Sequence, residues 1–232
     1  MVNVGITNDF KVISKRRHTH MVDNTPNKCK THVIAADEEG MVQAAQALAA
    51  GKLVSFPTET VYGLGANALD PDACLNIFKT KGRPLTDPLI VHVHNIEAGL
   101  ALVNHTSPII STTFKQLGAK YWPGPLTLVT EANLDKIPML ITADTGFIGI
   151  RVPAHPVALQ LLEKAGVPIA APSANKFGHV SPTKAEHVYN DFCKDFEVVI
   201  LDGGACSFGI ESTVLKITES ELIIIRKGGI SL

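Results

Sequence analysis

Three cations lie close together where a helix is predicted to end: Lys79, Lys81 and Arg83. Cations at this position can simply complement the negative end of a helix dipole. A lysine two residues before an arginine can also bind a polyphosphate, the lysine as a point charge and the arginine as a planar fork. Because a glycine and a proline flank Arg83 and stop the helix, we expect Lys81 and Arg83 to project into the following loop and bind a small anion.

Small hydrogen-bonding side chains follow two predicted strands. Thr58 and Thr60 lie two residues apart, so both face one side of an extended segment. Ser173 and Asn175 follow a buried apolar strand, and Ser181 lies further along the same loop. Open α/β sheets bind ligands at the carboxyl ends of their strands. These groups suit phosphate oxygens or a ribose, and an ordinary solvated loop is the alternative.

Familiar nucleotide and nucleophile motifs are weak or missing. Gly63-x-Gly65-x-x-Ala68 nominally matches a dinucleotide fingerprint, but five residues separate it from the preceding strand and the next helix starts only at Asp70. We therefore predict a tight loop over residues 57–68 that presents hydroxyl groups. The sequence contains no glycine-rich phosphate loop of the G-x-x-x-x-G-K-[ST] type and no Gly-x-Ser-x-Gly motif.

A protein-bound metal has little support. His92 and His94 lie on one face of a predicted strand, and Asp87 is the only nearby candidate for a third ligand. The four cysteines form no Cys-x-x-Cys pair, which disfavours a zinc ribbon. Four cysteines in 232 residues are typical of a reduced intracellular protein. We predict no metal held by side chains alone.

The elements that position these groups alternate between strand and helix. Asp37 and Asp70 are predicted to cap helices, and further helices are predicted at residues 96–103, 108–119, 156–165 and 184–192. Strands are predicted at residues 31–35, 53–56, 88–93, 126–130, 147–152, 167–171, 197–201, 212–217 and 222–226. Because no internal repeat or linker interrupts residues 31–232, we expect one α/β domain with a mixed sheet.

Charge is unevenly distributed along the 232 residues. Residues 1–30 contain six basic and two acidic residues, net +4, whereas residues 31–232 contain 15 basic and 20 acidic residues, net −5. We expect residues 1–30 to be a basic, disordered tail, with an RNA-binding arm or a targeting segment as the alternatives. An acidic domain excludes a general nucleic-acid coat. The sequence shows no membrane-spanning apolar run and no signal peptide, so we expect no membrane association and a cytoplasmic location.

Seven short motifs occur in a fixed order along the chain. They are SFPTETVYGLG at residues 55–65, KGRP at 81–84, PLIVH at 88–92, WPGPLT at 122–127, IRVP at 150–153, APSAN at 171–175 and ESTV at 211–214. Together they resemble the threonylcarbamoyl-AMP synthase family, the YrdC-like domain, over about residues 35–230. The resemblance implies a twisted mixed β-sheet with flanking helices and a concave ligand cleft. The resemblance is to the short, single-domain form of the family, for which we expect a more open site.

The resemblance also implies an activity. Family members condense L-threonine, bicarbonate and ATP into threonylcarbamoyl-AMP and pyrophosphate, with Mg²⁺ bound through the ATP phosphates. The product feeds the threonylcarbamoyl modification of tRNA adenosines. The implied partners are therefore the three substrates and the downstream tRNA threonylcarbamoyl-transfer machinery, with weak binding of tRNA itself.

Site residues are implied by matching positions. The threonine-binding residues are Thr60, His92, Arg151 and Ser212. The ATP-binding residues are Arg83, Asp87, Phe147, Ala171, Ser173, Asn175, Ser181 and Arg226, with backbone contacts at Phe147 and Ala171. Lys81 and Arg83 are implied to be catalytic, because they would neutralise charge that develops on the phosphates. Nothing in this chemistry requires a covalent enzyme intermediate.

Two positions depart from the family pattern. Asp87 stands where asparagine is frequent, and a carboxylate there repels phosphate unless it binds Mg²⁺ or pairs with a cation. Lys227 stands where a proline is usual.

Two other functions remain as alternatives. One is an RNA-binding module of the same fold without adenylate-forming activity, which the net charge of −5 disfavours. The other is a carbamoyl-transfer domain like that of hydrogenase maturation proteins, which would accompany acylphosphatase and zinc-finger segments that this sequence does not show.

Overall fold

A computed structural model describes residues 29–104 and 107–230. The described strands are β1 His32–Ala35, β2 Val54–Pro57, β3 Tyr62–Asn67, β4 Ile90–His92, β5 Leu126–Glu131, β6 Phe147–Arg151, β7 Ile169–Ala170, β8 Val199–Asp202, β9 Thr213–Ile217 and β10 Leu222–Arg226. The helices are α1 Glu38–Ala49, α2 Pro71–Lys81, α3 Ile96–Leu100, α4 Pro108–Tyr121, α5 Pro156–Ala165 and α6 Ala185–Phe192, with a 3₁₀ turn at Met139–Thr142. The predicted tail over residues 1–30 lies almost wholly outside the described residues.

Local sequence explains where the helices begin and end. The Asp37 side chain accepts a hydrogen bond from the Gly40 amide, and Asp70 caps α2 in the same way. Gly82 ends α2 with φ of 64°, a left-handed conformation that favours glycine. Gly166 ends α5 likewise. The predicted helix boundaries are confirmed at these positions.

The strands form one mixed sheet in the order β1-β8-β2-β3-β7-β4-β6-β5-β9-β10. The pairs β1–β8, β8–β2, β4–β6 and β5–β9 are parallel, and the remaining neighbours are antiparallel. The predicted mixed sheet in an α/β domain is confirmed. Within the described ranges, no helix has both the length and the apolar character that crossing a membrane requires.

The prediction of a loop over residues 57–68 is wrong for its second half, which is strand β3. Only residues 58–61 turn, and β3 then runs antiparallel to β2. Two glycines in β3 suggested a loop, but they serve close packing. A side chain at Gly65 would approach Ile169 and Phe56 to 2.8 Å, so only glycine lets β3 lie this close to its neighbours.

Two buried clusters hold the helices to the sheet. Helices α1 and α5 pack together over β2 and β8, around side chains such as Leu48, Phe56 and Leu161. The larger cluster includes Tyr62, Phe114 and other side chains beneath α2, α4 and α6. The loops between these elements form the candidate site.

Candidate active site

The site begins at the carboxyl ends of two parallel strands. His92 is the last residue of β4, Arg151 is the last residue of β6, and the two are direct partners in the strand register. The turn between β2 and β3 brings Thr58 and Thr60 to the same place. The candidate ligand-binding groups therefore lie together at strand ends, where open α/β sheets bind ligands.

A cavity of about 30 Å³, here called the small pocket, lies among these residues. All four residues implied to bind threonine line it: Thr60, His92, Arg151 and Ser212. Also on its wall are Thr58, Val61, Gly63, Ile90, Ala171, Pro172, Ser173 and Glu211. The volume is about that of one water molecule, so binding of an amino acid requires the walls to separate.

Arg151 is the central charge of the small pocket and is almost fully buried. Its Nε donates to the Gly124 carbonyl at 3.3 Å, and one terminal nitrogen donates to Thr60 Oγ1 at 3.0 Å. The other terminal nitrogen pairs with Glu59 Oε1 at 2.6 Å. Burial lowers the pKa of Arg151, and the Glu59 carboxylate opposes that shift. Sequence analysis missed Glu59, although a carboxylate between two site threonines was a usable signal.

His92 is neutral in this environment. Burial, reinforced by the nearby Arg151 charge, lowers the pKa of His92 to about 3. Its Nδ1 is buried and has no hydrogen-bond partner among the described residues. A buried, unpaired ring nitrogen is costly unless a ligand satisfies it, so His92 is suited to bind a polar group of a substrate.

A second cavity of about 440 Å³, here called the large cavity, adjoins the small pocket at Ile90, which lines both. Four of the residues implied to bind ATP line it: Arg83, Asp87, Phe147 and Arg226. The remaining wall is largely apolar and consists of Pro88, Leu89, Thr127, Val129, Thr145, Gly149, Val214, Lys216 and Ile225. Apolar walls with a few charged groups are typical of sites for planar organic ligands.

Arg226 and Glu211 connect the two cavities. Arg226 donates to the Ser212 carbonyl at 2.9 Å and to Ser212 Oγ at 3.1 Å, and pairs with Glu211 at 3.3 Å. Glu211 also accepts a hydrogen bond from Ser181 Oγ at 2.9 Å. Ser181, implied to contact ATP, therefore reaches the site through Glu211, a residue that sequence analysis did not single out.

The expectation that Lys81 projects into the loop after α2 is wrong. Its side chain is only 3% exposed, and its ammonium donates to the backbone carbonyls of Ser173 and Asn175. The Lys81 carbonyl accepts a hydrogen bond from the Phe177 amide in return. Burial is the main reason that the pKa of Lys81 falls to about 8. Lys81 therefore holds the loop after β7 in place, and these two bonds use two of its three ammonium N–H groups.

Arg83, unlike Lys81, does lie in the loop after α2, and it lines the large cavity. Its guanidinium donates to the carbonyls of Asp87 and Pro88 and lies 3.8 Å from the Asp87 carboxylate. The unusual carboxylate at position 87 therefore pairs with a cation, which offsets its repulsion of phosphate. The pKa of Arg83 is lowered mainly by burial.

Only part of the loop after β7 lines the small pocket. Ala171 and Ser173, implied to contact ATP, line the small pocket. Asn175 is buried beneath it, where its side-chain amide donates to the carbonyls of Lys176 and His179. Nucleotide contacts by these three residues stay a prediction.

Side chains alone do not form a metal site in the part of the chain that the structure describes. No group of three or more His, Cys, Asp or Glu side chains converges there. Lys216, missed by sequence analysis, places its ammonium 3.5 Å from the centre of the Phe147 ring within the large cavity.

The mixed sheet and its two adjoining cavities define an α/β protein with a ligand-binding cleft. Comparison with known proteins shows the family to which it belongs. The family model for Sua5_yciO_yrdC, described as telomere recombination, matches residues 46–228. The chain therefore belongs to the Sua5/YciO/YrdC family.

Relatives with curated names share much of this chain. A threonylcarbamoyl-AMP synthase from Pyrococcus abyssi is 47% identical, covering 78% of this chain and 52% of that protein. One from Bacillus subtilis is 44% identical, covering 87% and 57%. The solved structure of P. abyssi Sua5 complexed with L-threonine has a TM-score of 0.79 at 43% identity, covering 86% of this chain and 57% of that one. This chain spans about half the length of these relatives.

Proposed function

We propose that this protein is an L-threonylcarbamoyladenylate synthase. The observation on which this rests is the pair of joined cavities, one polar with a buried arginine and one with apolar walls and two arginines. The names of its relatives and the threonine complex of a related protein support the same assignment. Threonine would occupy the small pocket, and ATP would occupy the large cavity.

The proposed reaction joins three substrates in two steps. The amine of threonine attacks the carbon of bicarbonate, water leaves, and a carbamate forms. A carbamate oxygen then attacks the α-phosphorus of ATP, and the bond to the pyrophosphate leaving group breaks. The products are threonylcarbamoyl-AMP and pyrophosphate. In the cell the product would pass to tRNA threonylcarbamoyl-transfer machinery, and a cytoplasmic location fits that role.

The chain's own residues contribute by positioning and by charge. Arg151, Thr60 and Ser212 would orient the threonine, and its carboxylate would lie against the arginine. Arg83, Arg226 and the remaining proton of Lys81 would face the phosphates and offset the charge that develops as pyrophosphate leaves. Buried His92 would bind a polar group of the amino acid.

Mg²⁺ would come with the nucleotide. The two carboxylates that line the cavities, Asp87 and Glu211, each pair with an arginine. Because their charges are already paired, they fit a Mg²⁺ ion that is bound mainly by the phosphates. Bound there, Mg²⁺ would neutralise phosphate charge.

Pyrophosphate release from ATP tests the proposal directly. We expect release that requires both threonine and bicarbonate, with threonylcarbamoyl-AMP detected by mass spectrometry. Product with another amino acid, and none with threonine, would overturn the substrate but keep the reaction class. Salt-sensitive tRNA binding without any turnover would favour an RNA-binding module instead.

A further inference from the structure

Glu59 is a buried carboxylate that lies behind the small pocket without lining it. Its side chain is 7% exposed. Oε1 accepts from Arg151 at 2.6 Å, and Oε2 accepts from the Ala154 amide at 2.9 Å. With both oxygens in use, the carboxylate has one fixed orientation.

Glu59 is also anchored through its backbone. Its carbonyl accepts hydrogen bonds from the Phe208 amide at 2.9 Å and from Ser207 Oγ at 3.3 Å. The side chain and the backbone of one residue therefore connect the turn after β2, the end of β6 and the loop before β9.

The contacts of Arg151 show what this orientation achieves. The guanidinium has five N–H groups, and Gly124, Thr60 and Glu59 each accept one. Two N–H groups remain, one on each terminal nitrogen, to bind a carboxylate. Their direction depends on the Glu59 pair, because the other two contacts are longer bonds to neutral oxygens.

We propose that Glu59 is a positioning residue that orients Arg151 and thereby sets the affinity of the small pocket for the carboxylate of the amino acid substrate. This inference rests on the proposed function of that pocket. Among the residues that the structure describes, the Glu59 side chain hydrogen-bonds to none that lines the large cavity, so the effect of changing it should be confined to the amino acid and should not reach the nucleotide.

Substitution by glutamine breaks this arrangement with little change in shape. In Glu59→Gln the amide nitrogen must face either Arg151 or the Ala154 amide, and both of these are donors. We expect the dissociation constant for threonine, measured by calorimetry, to rise at least about tenfold. The dissociation constant for a non-hydrolysable ATP analogue should change less than about twofold, since no contact to the large cavity is lost.

Two further variants control the experiment. Glu59→Asp keeps the buried counter-charge for Arg151 but is too short to reach both partners, so the same selective loss of threonine affinity is expected. It replaces Glu59→Gln if that variant does not fold. Glu197→Gln removes an exposed carboxylate paired with Lys52 at 3.0 Å and should leave both affinities unchanged.

The outcomes separate this inference from the proposed function. If the unsubstituted protein neither binds threonine nor releases pyrophosphate in its presence, the proposed function fails. If that protein is active but the folded Glu59 variants bind threonine within twofold of it, the inference about Glu59 is wrong. Equal loss of threonine and nucleotide affinity would also overturn it, because that is the result expected of a purely structural role.

Discussion

Arg151 in the small pocket has a side chain that is 5% exposed, whereas Arg83 and Arg226 in the large cavity are 19% and 40% exposed. The buried arginine is held by a carboxylate, a hydroxyl and a carbonyl. The arginines of the large cavity pair with carboxylates at the longer distances of 3.8 and 3.3 Å, and their side chains are more exposed to solvent. The charged groups of the small pocket are therefore largely removed from water, whereas those of the large cavity stay partly hydrated.

This difference in burial predicts which substitutions should lower stability and activity most. In the small pocket Arg151, Thr60 and Ser212 are each bonded to another buried group, so removing one leaves its partner unsatisfied. In the large cavity, water can replace a lost contact. Substitutions in the small pocket should therefore lower both stability and activity. Substitutions in the large cavity should lower only activity or nucleotide affinity.

The largest effect is expected for Arg151→Met. The substitution leaves the Glu59 carboxylate buried without its partner, which costs about 3–5 kcal/mol of folding free energy. Threonine-dependent turnover should fall by about 10³-fold or more, because the carboxylate site is lost as well. Chemical denaturation and pyrophosphate release measure the two effects. A stable, active Arg151→Met protein would show that the small pocket is not the amino acid site.

Arg83→Ala comes next and should affect turnover without affecting folding. In the proposed complex Arg83 would face the phosphates, so loss of its charge should lower kcat/KM by about 10²-fold. The denaturation midpoint should stay close to that of the unsubstituted protein, since Arg83 is partly exposed and its neighbours can be hydrated. A normal rate would mean that the cation cluster only completes the end of α2.

Lys81 should add a pH dependence of intermediate size. The pKa of Lys81 is lowered to about 8, so its charge is present below that pH and is lost as pH rises through it. Above this point, kcat/KM of the unsubstituted protein should fall relative to that of Lys81→Met by about tenfold per pH unit. The ratio removes the titration of the threonine amine, which both proteins share. A ratio independent of pH would contradict a role for the Lys81 charge.

Sequence patterns predicted most of the fold because caps and periodicity are local. Asp37, Asp70 and Gly166 stand at the boundaries where their side chains or backbone conformations are required. Strand β3 was missed because the reason for its glycines is contact with Ile169 and Phe56, which lie far away in the chain. Such packing is set by the tertiary fold and leaves no local pattern.

The site was predicted less completely than the fold. The resemblance identified Arg151 and three other residues that line the small pocket, Thr60, His92 and Ser212, but resemblance does not show hydrogen-bond partners. The burial of Lys81, its bonds to the loop after β7, and the pairing of Glu59 with Arg151 depend on which strands become neighbours. The sequence alone does not show whether a charged residue will face a ligand or another segment of the chain.

The smallest effect is expected for Lys216→Met in the large cavity. The Lys216 ammonium lies over the Phe147 ring, and a contact of this kind contributes about 0.5–1 kcal/mol at partly exposed sites. Methionine keeps the length of the side chain and removes a cation from the wall of the proposed nucleotide cavity, so KM for ATP should rise about two- to fivefold. KM for threonine should not change. Lys194→Met, at an exposed position that lines neither cavity, is the matched control. A change in KM for threonine without one for ATP would reverse the assignment of substrates to the two cavities.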